Sequence, residues 1–262
     1  MTEEVRLEPH QRFLVPEMAL VRQVETSDVF VWLAKGWADT KAAKGVSVLY
    51  AALFLLVGIF ISFGFYHLEL PYLILPSISG FLLVGPAMAI GFYEGSLRRQ
   101  QNQEFHLWHA IFGFRRNTYS LMGIGIAQVF LFMVWIRLSF TLFAIAFPGV
   151  MPEWGPIFER AMSWEGVHFA FMITVLGAVF ATIIFVTGAV SLPLMIDRKT
   201  VLIPSMLTSV YAVFLNIKAM ILWAFLIVVI MLLGLLSGIG LIIAFPLIGH
   251  ATWHAYQQVI GD

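Results

Sequence analysis

Residues 219–261 read AMILWAFLIVVIMLLGLLSGIGLIIAFPLIGHATWHAYQQVIG, 43 positions without one Asp, Glu, Lys or Arg. A bilayer core of roughly 30 Å takes about 20 helical residues. The stretch is too long for one crossing and about right for two. Near its middle, Leu236-Ser237-Gly238-Ile239-Gly240 offers the small residues of a tight turn. The chain is therefore predicted to end in a transmembrane hairpin.

The rest of the chain repeats that theme. It is 60% hydrophobic and 11% charged, with a mean hydropathy of +0.91, whereas soluble domains carry about 25% charged residues. Such a composition cannot clothe a surface in polar groups, so lipid must be part of the solvent. There is no cysteine, which excludes disulfides, iron–sulfur clusters and thiol catalysis. The formal net charge is zero, so bulk charge gives no footprint for nucleic acid. Residues 1–42 lack the short basic start, apolar core and small-residue cleavage site of a signal peptide. We expect a polar cytoplasmic segment, 1–28, ahead of a transmembrane domain, 29–262.

Five charge-free windows carry six predicted spans, at about 45–66, 72–96, 119–145, 167–194, 218–236 and 240–258. In hydrocarbon every backbone group must be satisfied within its segment, so runs of this length should be helices. A barrel would show short alternating segments instead. The predicted fold is an all-α polytopic bundle, six spans in three hairpins. With the N-terminus inside, 13 of the 15 Lys and Arg fall on cytoplasmic segments; only Arg160 lies opposite, and Arg137 lies within a span. By the positive-inside rule both termini are expected in the cytoplasm.

Three segments, 29–44, 104–117 and 204–218, each precede a hairpin, are aromatic and amphipathic, and carry Lys or Arg just before the next span. Trp37, Trp108 and Tyr211 take similar places in them. They read as helices lying in the cytoplasmic interface. The second and sixth spans also match. Each has a mid-span proline, Pro86 or Pro246, followed seven residues later by Tyr93 or Trp253 and then by Glu94 or His254. Ala87, Gly91 and Gly95 form a stripe at four-residue spacing, of the kind that lets helix backbones approach closely.

The stretch from Gly80 to Glu94 (GFLLVGPAMAIGFYE), the Pro193–Arg198 segment and the ending from Pro246 to Tyr256 resemble an uncharacterised family of bacterial integral membrane proteins. That family has a domain of unknown function, and some members carry a cytochrome c oxidase subunit I label. The resemblance implies a bacterial inner-membrane protein. It supplies no established activity, and so no catalytic residue is carried over.

Few residues carry chemistry. His250 and His254, four apart on one helix face, could bind a metal, with His106, His109, Glu94, Glu104 and Asp197 on the same side of the membrane. The alternative is hydrogen bonding at the headgroup level, and no cofactor is expected. A catalytic oxidase subunit would need six buried metal-binding histidines, and this chain offers His168, His250 and His254 in or near spans. Arg137 sits inside an apolar stretch. A charge at that depth needs a partner or water, so it is read as a lipid or anion contact, a pore-lining charge, a residue snorkelling outward, or a partner of Glu153 or Glu159 in the neighbouring loop. In the external loop, Trp154 and Trp164 are candidates for contact with a partner, as is the Ala87–Gly91–Gly95 stripe. Phosphate loops, nucleophile elbows and metalloprotease helices are absent from the sequence. The expected role is a non-catalytic accessory, assembly or scaffold subunit of a larger membrane complex, with a respiratory complex as one candidate, in contact with lipid and with another membrane protein or itself. Small-solute or lipid transport is the alternative, and a haem- or metal-binding redox subunit the third reading.

Overall fold

A computed structural model describes residues 18–43, 45–70, 73–149 and 163–261. Among these the chain is helical, with no strand beyond one isolated bridge, Val21 with Ile260. The order is α1 (Asp28–Ala42), α2 (Val46–His67), α3 (Ile74–Met88), α4 (Ile90–Gln100), α5 (Leu107–Ile111), α6 (Thr118–Ala146), α7 (Trp164–Gly188), α8 (Ser191–Asp197), α9 (Leu202–Leu215), α10 (Ile217–Leu236) and α11 (Leu241–Val259). A 3₁₀ turn, Gly113–Asn117, leads into α6.

Among the described residues, four helical stretches are long and apolar enough to cross a membrane: Val46–His67, Gly113–Ala146, Trp164–Asp197 and Ile217–Leu236. The expected second and sixth spans differ, each for a physical reason. The second is interrupted between Met88 and Ile90. Pro86 has no N–H to give the helix, and the chain restarts from Ala89, whose own N–H reaches back to Pro86 O at 3.2 Å. The Met88 carbonyl freed there accepts the Tyr50 hydroxyl at 3.1 Å. The sixth, α11, is continuous through Pro246. Its second half carries His250, His254, Gln257 and Gln258, which lowers its hydropathy.

The chain divides into two compact units. One gathers Met1–Ala52, Pro86–Ile124 and Phe185–Asp262; the other gathers Leu53–Gly85 and Gly125–Ile184. The second unit is built on Leu83, Trp135, Phe180 and Ile184, with the Trp135 and Phe180 rings edge to face at 5.9 Å.

The first unit is organised around α11, which buries twelve residues, Trp253 and Tyr256 among them. Helix α1 packs along it. Val29, Trp32, Gly36, Asp39 and Thr40 recur at helical spacing and form the buried face, the pattern of an amphipathic helix on a core. Gly36 lets the two backbones meet, since a Cβ there would lie 2.6 Å from the Ala251 nitrogen. Trp32 is wholly buried, edge-on to Trp223, and its Nε1 donates to Gln258 Oε1 at 2.8 Å. Two glycines with positive φ turn the chain where an L side chain would strain: Gly45 (+86°) before α2 and Gly238 (+72°) between α10 and α11.

The two ends of the chain are tied together in this unit. Arg22 N donates to Val259 O at 2.8 Å and Gly261 N to Leu20 O at 3.0 Å. The Asn216 side chain accepts from Val24 N at 2.8 Å and donates to Arg22 O at 3.0 Å. Arg198 adds a bond to Gly261 O at 2.6 Å.

Helix α9 reverses the polarity of a soluble surface helix. It buries Ser205, Thr208 and Ser209 and exposes Ile203, Leu207, Tyr211 and Phe214. Its hydroxyls find acceptors inside, Thr208 on Pro204 O at 2.9 Å and Ser209 on Val186 O at 2.8 Å. Polar-in, apolar-out packing is stable where the surroundings are hydrocarbon.

Candidate functional site

The densest chemistry in the first unit lies where α1, the start of α2, α4 and the second half of α11 meet. Asp39 enters on the buried face of α1, one turn after Gly36. Ser96 and Arg99, three residues apart, share a face of α4. His250 and His254, four apart, share a face of α11, and Ser47 stands at the head of α2.

These six side chains form one hydrogen-bonded cluster. Ser96 Oγ lies 2.5 Å from Asp39 Oδ2 and 2.8 Å from His250 Nδ1. His250 Nε2 lies 2.8 Å from Ser47 Oγ. His254 Nε2 lies 2.9 Å from Asp39 Oδ2, and Arg99 Nη1 donates to Asp39 Oδ1. Ser47, Ser96 and His250 are essentially sealed from solvent, and Asp39 is 6% exposed. The Arg99 side chain is 46% exposed, so the carboxylate is buried while its counter-ion reaches outward.

The proton order follows by elimination. An ionised carboxylate only accepts, so Ser96 gives its one hydroxyl proton to Asp39. Ser96 Oγ must then accept from His250, which places a proton on Nδ1. In the neutral imidazole Nε2 is the acceptor, and Ser47 donates to it. His254 donates to Asp39 through Nε2–H. Burial opposes the charge on Asp39, but the hydrogen bonds from His254 and Ser96 outweigh it and hold its carboxyl below the usual carboxylate range.

A second cluster lies on another face of α4. Glu94, whose side chain is 4% exposed, accepts from Arg98 Nε at 2.5 Å and from Arg116 Nη2 at 3.0 Å and Nε. Arg98 continues to Glu104 O at 3.3 Å. A carboxylate this buried is tolerable only when so paired. On the far side of α11, the Tyr256 hydroxyl donates to Asp197 Oδ2 at 2.7 Å.

These contacts locate the residues singled out from sequence. His250 and His254 converge on Asp39, the first through Ser96 and the second directly. Among the described residues, no three His, Asp or Glu side chains are grouped to hold a metal ion. His106 and His109 stand apart, their rings stacked at 5.5 Å, with His106 Nε2 3.0 Å from Glu104 Oε2. Gly91 and Gly95 do not face outward as a partner surface would require. Gly91 is packed under the Tyr50 ring and Ala110 O, and Gly95 under the Phe105 ring and His250. Close approach does explain these glycines, but the neighbours belong to the same chain. Ala87 is half-buried in α3. Trp164, exposed at the start of α7, meets the His168 ring edge to face at 4.1 Å. Trp154, Arg160 and most of the external loop lie outside the described residues. Arg137 is exposed on α6.

Asp39, Ser47 and Ser96 were not singled out from sequence. Asp39 was within reach, because the spacing of Trp32, Gly36 and Asp39 puts it on the buried stripe of α1. No pattern marks the two serines.

Residues 74–197 match a family described as predicted integral membrane protein (DUF2189), a domain of unknown function. The match includes Glu94, Ser96, Arg98, Arg99 and Arg116 and stops short of Asp39, His250 and His254. No curated protein matches the chain, and no solved structure does.

Proposed function

We propose that this chain is a non-catalytic integral protein of the bacterial inner membrane that works by contact, as an accessory, assembly or scaffold component of a larger membrane complex. One observation carries the reading: the ionisable groups buried in the first unit are taken up by one another. Asp39 is engaged by Arg99, His254 and Ser96, and Glu94 by Arg98 and Arg116. Among the described residues, the buried side-chain nitrogens and oxygens without a partner are the indole N–H groups of Trp223 and Trp253, and neither belongs to these clusters. Such an arrangement fastens helices together and presents no buried acid or base to a substrate. The outward faces of α2, α6 and α9 are apolar, suited to lipid and to a membrane partner.

In this reading the chain crosses six times, in three hairpins, with both termini in the cytoplasm and α1, α5 and α9 at the cytoplasmic interface. The bonding of Leu20–Arg22 to Val259–Gly261 supports an even number of crossings, because it holds both ends on one side. The broken pair α3–α4 and the polar-ended α11 serve as the second and sixth crossings, shielded from lipid in part by their neighbours. Purification in a mild, lipid-retaining detergent, with mass analysis of what co-elutes, tests the role. A second membrane protein in constant ratio is the expected result; a lone monomer refutes it.

Transport of a small solute or lipid is the second reading, favoured by the helix interruption between Met88 and Ile90. Transporters place broken helices around their binding sites. Uptake that depends on the protein after reconstitution into vesicles would promote it.

A further inference from the structure

A groove of about 650 Å³ lies between residues 23–27 and the α9–α10 junction, 215–219. Small-ligand sites measure roughly 300–1,000 Å³. Both walls belong to the first unit. Asn216 fixes them to each other, its side chain bonding Val24 N at 2.8 Å and Arg22 O at 3.0 Å. The groove is therefore part of the fold and not a gap between loose segments.

Its charges are opposite and uncommitted. Glu25 stands on one wall and Lys218 on the other. Both are exposed, and among the described residues neither has an ion-pair partner. The Glu25 carboxylate accepts from the Ser27 hydroxyl at 3.2 Å, which leaves most of its acceptor capacity open. Asp28, three positions on, is turned to the Glu25 N–H at 2.8 Å. Gln23 and Thr26 add amide and hydroxyl groups to the same wall. A single ligand with one negative and one positive group answers both walls at once.

The surroundings of the groove indicate the class of that ligand. Lys218 is the last charge before the 43 charge-free residues, so it stands where α10 enters hydrocarbon, at the headgroup level. Ile217 lines the groove and also opens an exposed apolar row along α10, continued by Ile221, Phe225, Val228 and Leu232. Their spacing of three and four keeps them on one helix face. At about 1.5 Å per residue the row is about 22 Å long, more than the roughly 15 Å of one leaflet of the hydrocarbon core. A polar groove bearing both charges thus leads directly into an apolar track.

We propose that the groove holds the headgroup of a zwitterionic phospholipid with a primary ammonium: its phosphate on Lys218, its ammonium on Glu25, and one acyl chain along the α10 row. Lysine binds phosphate as a point charge. A primary ammonium brings three N–H donors to a carboxylate, and a quaternary one brings none. An anionic phospholipid would satisfy Lys218 and leave Glu25 opposed to it. The proposal rests on α10 being a span, and its occupant is lipid whatever protein binds elsewhere.

The test titrates delipidated full-length protein in detergent with phosphatidylethanolamine, phosphatidylcholine or phosphatidylglycerol of matched acyl chains. Bound lipid per chain is counted by native mass spectrometry. The expected result is one phosphatidylethanolamine held about five- to tenfold more tightly than either other lipid, the effect of a charge-assisted hydrogen bond at a wet site. Glu25→Gln should abolish that preference and keep phosphatidylglycerol binding, whereas Lys218→Leu should weaken all three lipids. Both side chains are exposed, so neither change should disturb folding, as circular dichroism would verify. Equal binding of the three lipids by the wild type, a preference that survives Glu25→Gln, or unchanged binding in Lys218→Leu refutes the proposal. Glycerophosphoethanolamine, the headgroup without its chains, separates the possible sources. Binding as tight as that of the lipid would make this a site for a soluble zwitterion and overturn the lipid assignment. The counts are made on the purified chain, so failure of co-purification leaves them unchanged and the two proposals fail separately.

Discussion

Ser96 donates its single hydroxyl proton to Asp39 across 2.5 Å, and that bond decides the tautomer of His250. Because the serine oxygen must accept from the imidazole, the proton sits on Nδ1. Nitrogen chemical shifts of labelled protein should show the Nδ1–H form at His250. An Nε2–H tautomer would reverse the order of the cluster. Ser96→Ala leaves a buried carboxylate and a buried imidazole each short of a partner. Its expected cost is about 1–3 kcal/mol, measurable as reduced resistance to denaturant in detergent.

Asp39 makes the stability of this unit sensitive to acid. Its carboxyl is held low in the folded protein by His254 and Ser96 against the opposing effect of burial, so the folded state binds fewer protons than the unfolded one. The stabilisation is therefore complete above the unfolded value of about 4 and is lost as pH falls through the lower folded value. Asp39→Asn should be clearly less stable than wild type near neutrality. The gap should narrow as pH falls below about 4; a gap that widens in acid would contradict the assignment.

Gly36 sets the distance between α1 and α11. Any side chain there meets the Ala251 backbone, which cannot swing aside. Gly36→Leu should destabilise the protein by about 1–3 kcal/mol or more, and crosslinking between cysteines placed on α1 and α11 should fall with it. Wild-type behaviour would mean that the two helices are not in close contact.

Orientation is open to a direct check. In intact cells, an impermeant thiol reagent should leave Thr2→Cys unmodified and label Gly155→Cys, as expected for a cytoplasmic N-terminus and an external 148–165 loop. The opposite pattern would invert the topology.

Helix content and most helix limits were legible in the sequence, because long charge-free runs admit few other structures. The interrupted helix at the expected second span was legible only in part. Pro86 pointed to a bend, but whether Met88 O would be left for Tyr50 depends on how α2 packs. The amphipathic segments were also half legible. Their aromatic and basic residues are as exposed as expected at Trp37, Trp108 and Tyr211. Their polar residues are not uniformly outside, since α9 turns Ser205, Thr208 and Ser209 inward. At the site, His250 and His254 stood out as a pair four apart, yet what they share is a carboxylate from a helix more than two hundred positions earlier. Helical periodicity is local, and such a pairing lies beyond its reach.

The packing of α1 on α11 also governs when the protein can be completed. Trp32 and Gln258 are 226 positions apart, so synthesis from the N-terminus produces α1 before nearly everything it is built to touch. Until α11 and the residues just after it leave the ribosome, Trp32 lacks Gln258, Asp39 lacks His254, Gly36 lacks Ala251, and Leu20–Arg22 lacks its neighbours Val259 and Gly261. Local helices form in well under a millisecond, but this closure waits for the arrival of α11. A truncation that removes the last residues should thus strand the first helix rather than merely shorten the last one, leaving an apolar, tryptophan-bearing segment for quality-control proteases to find.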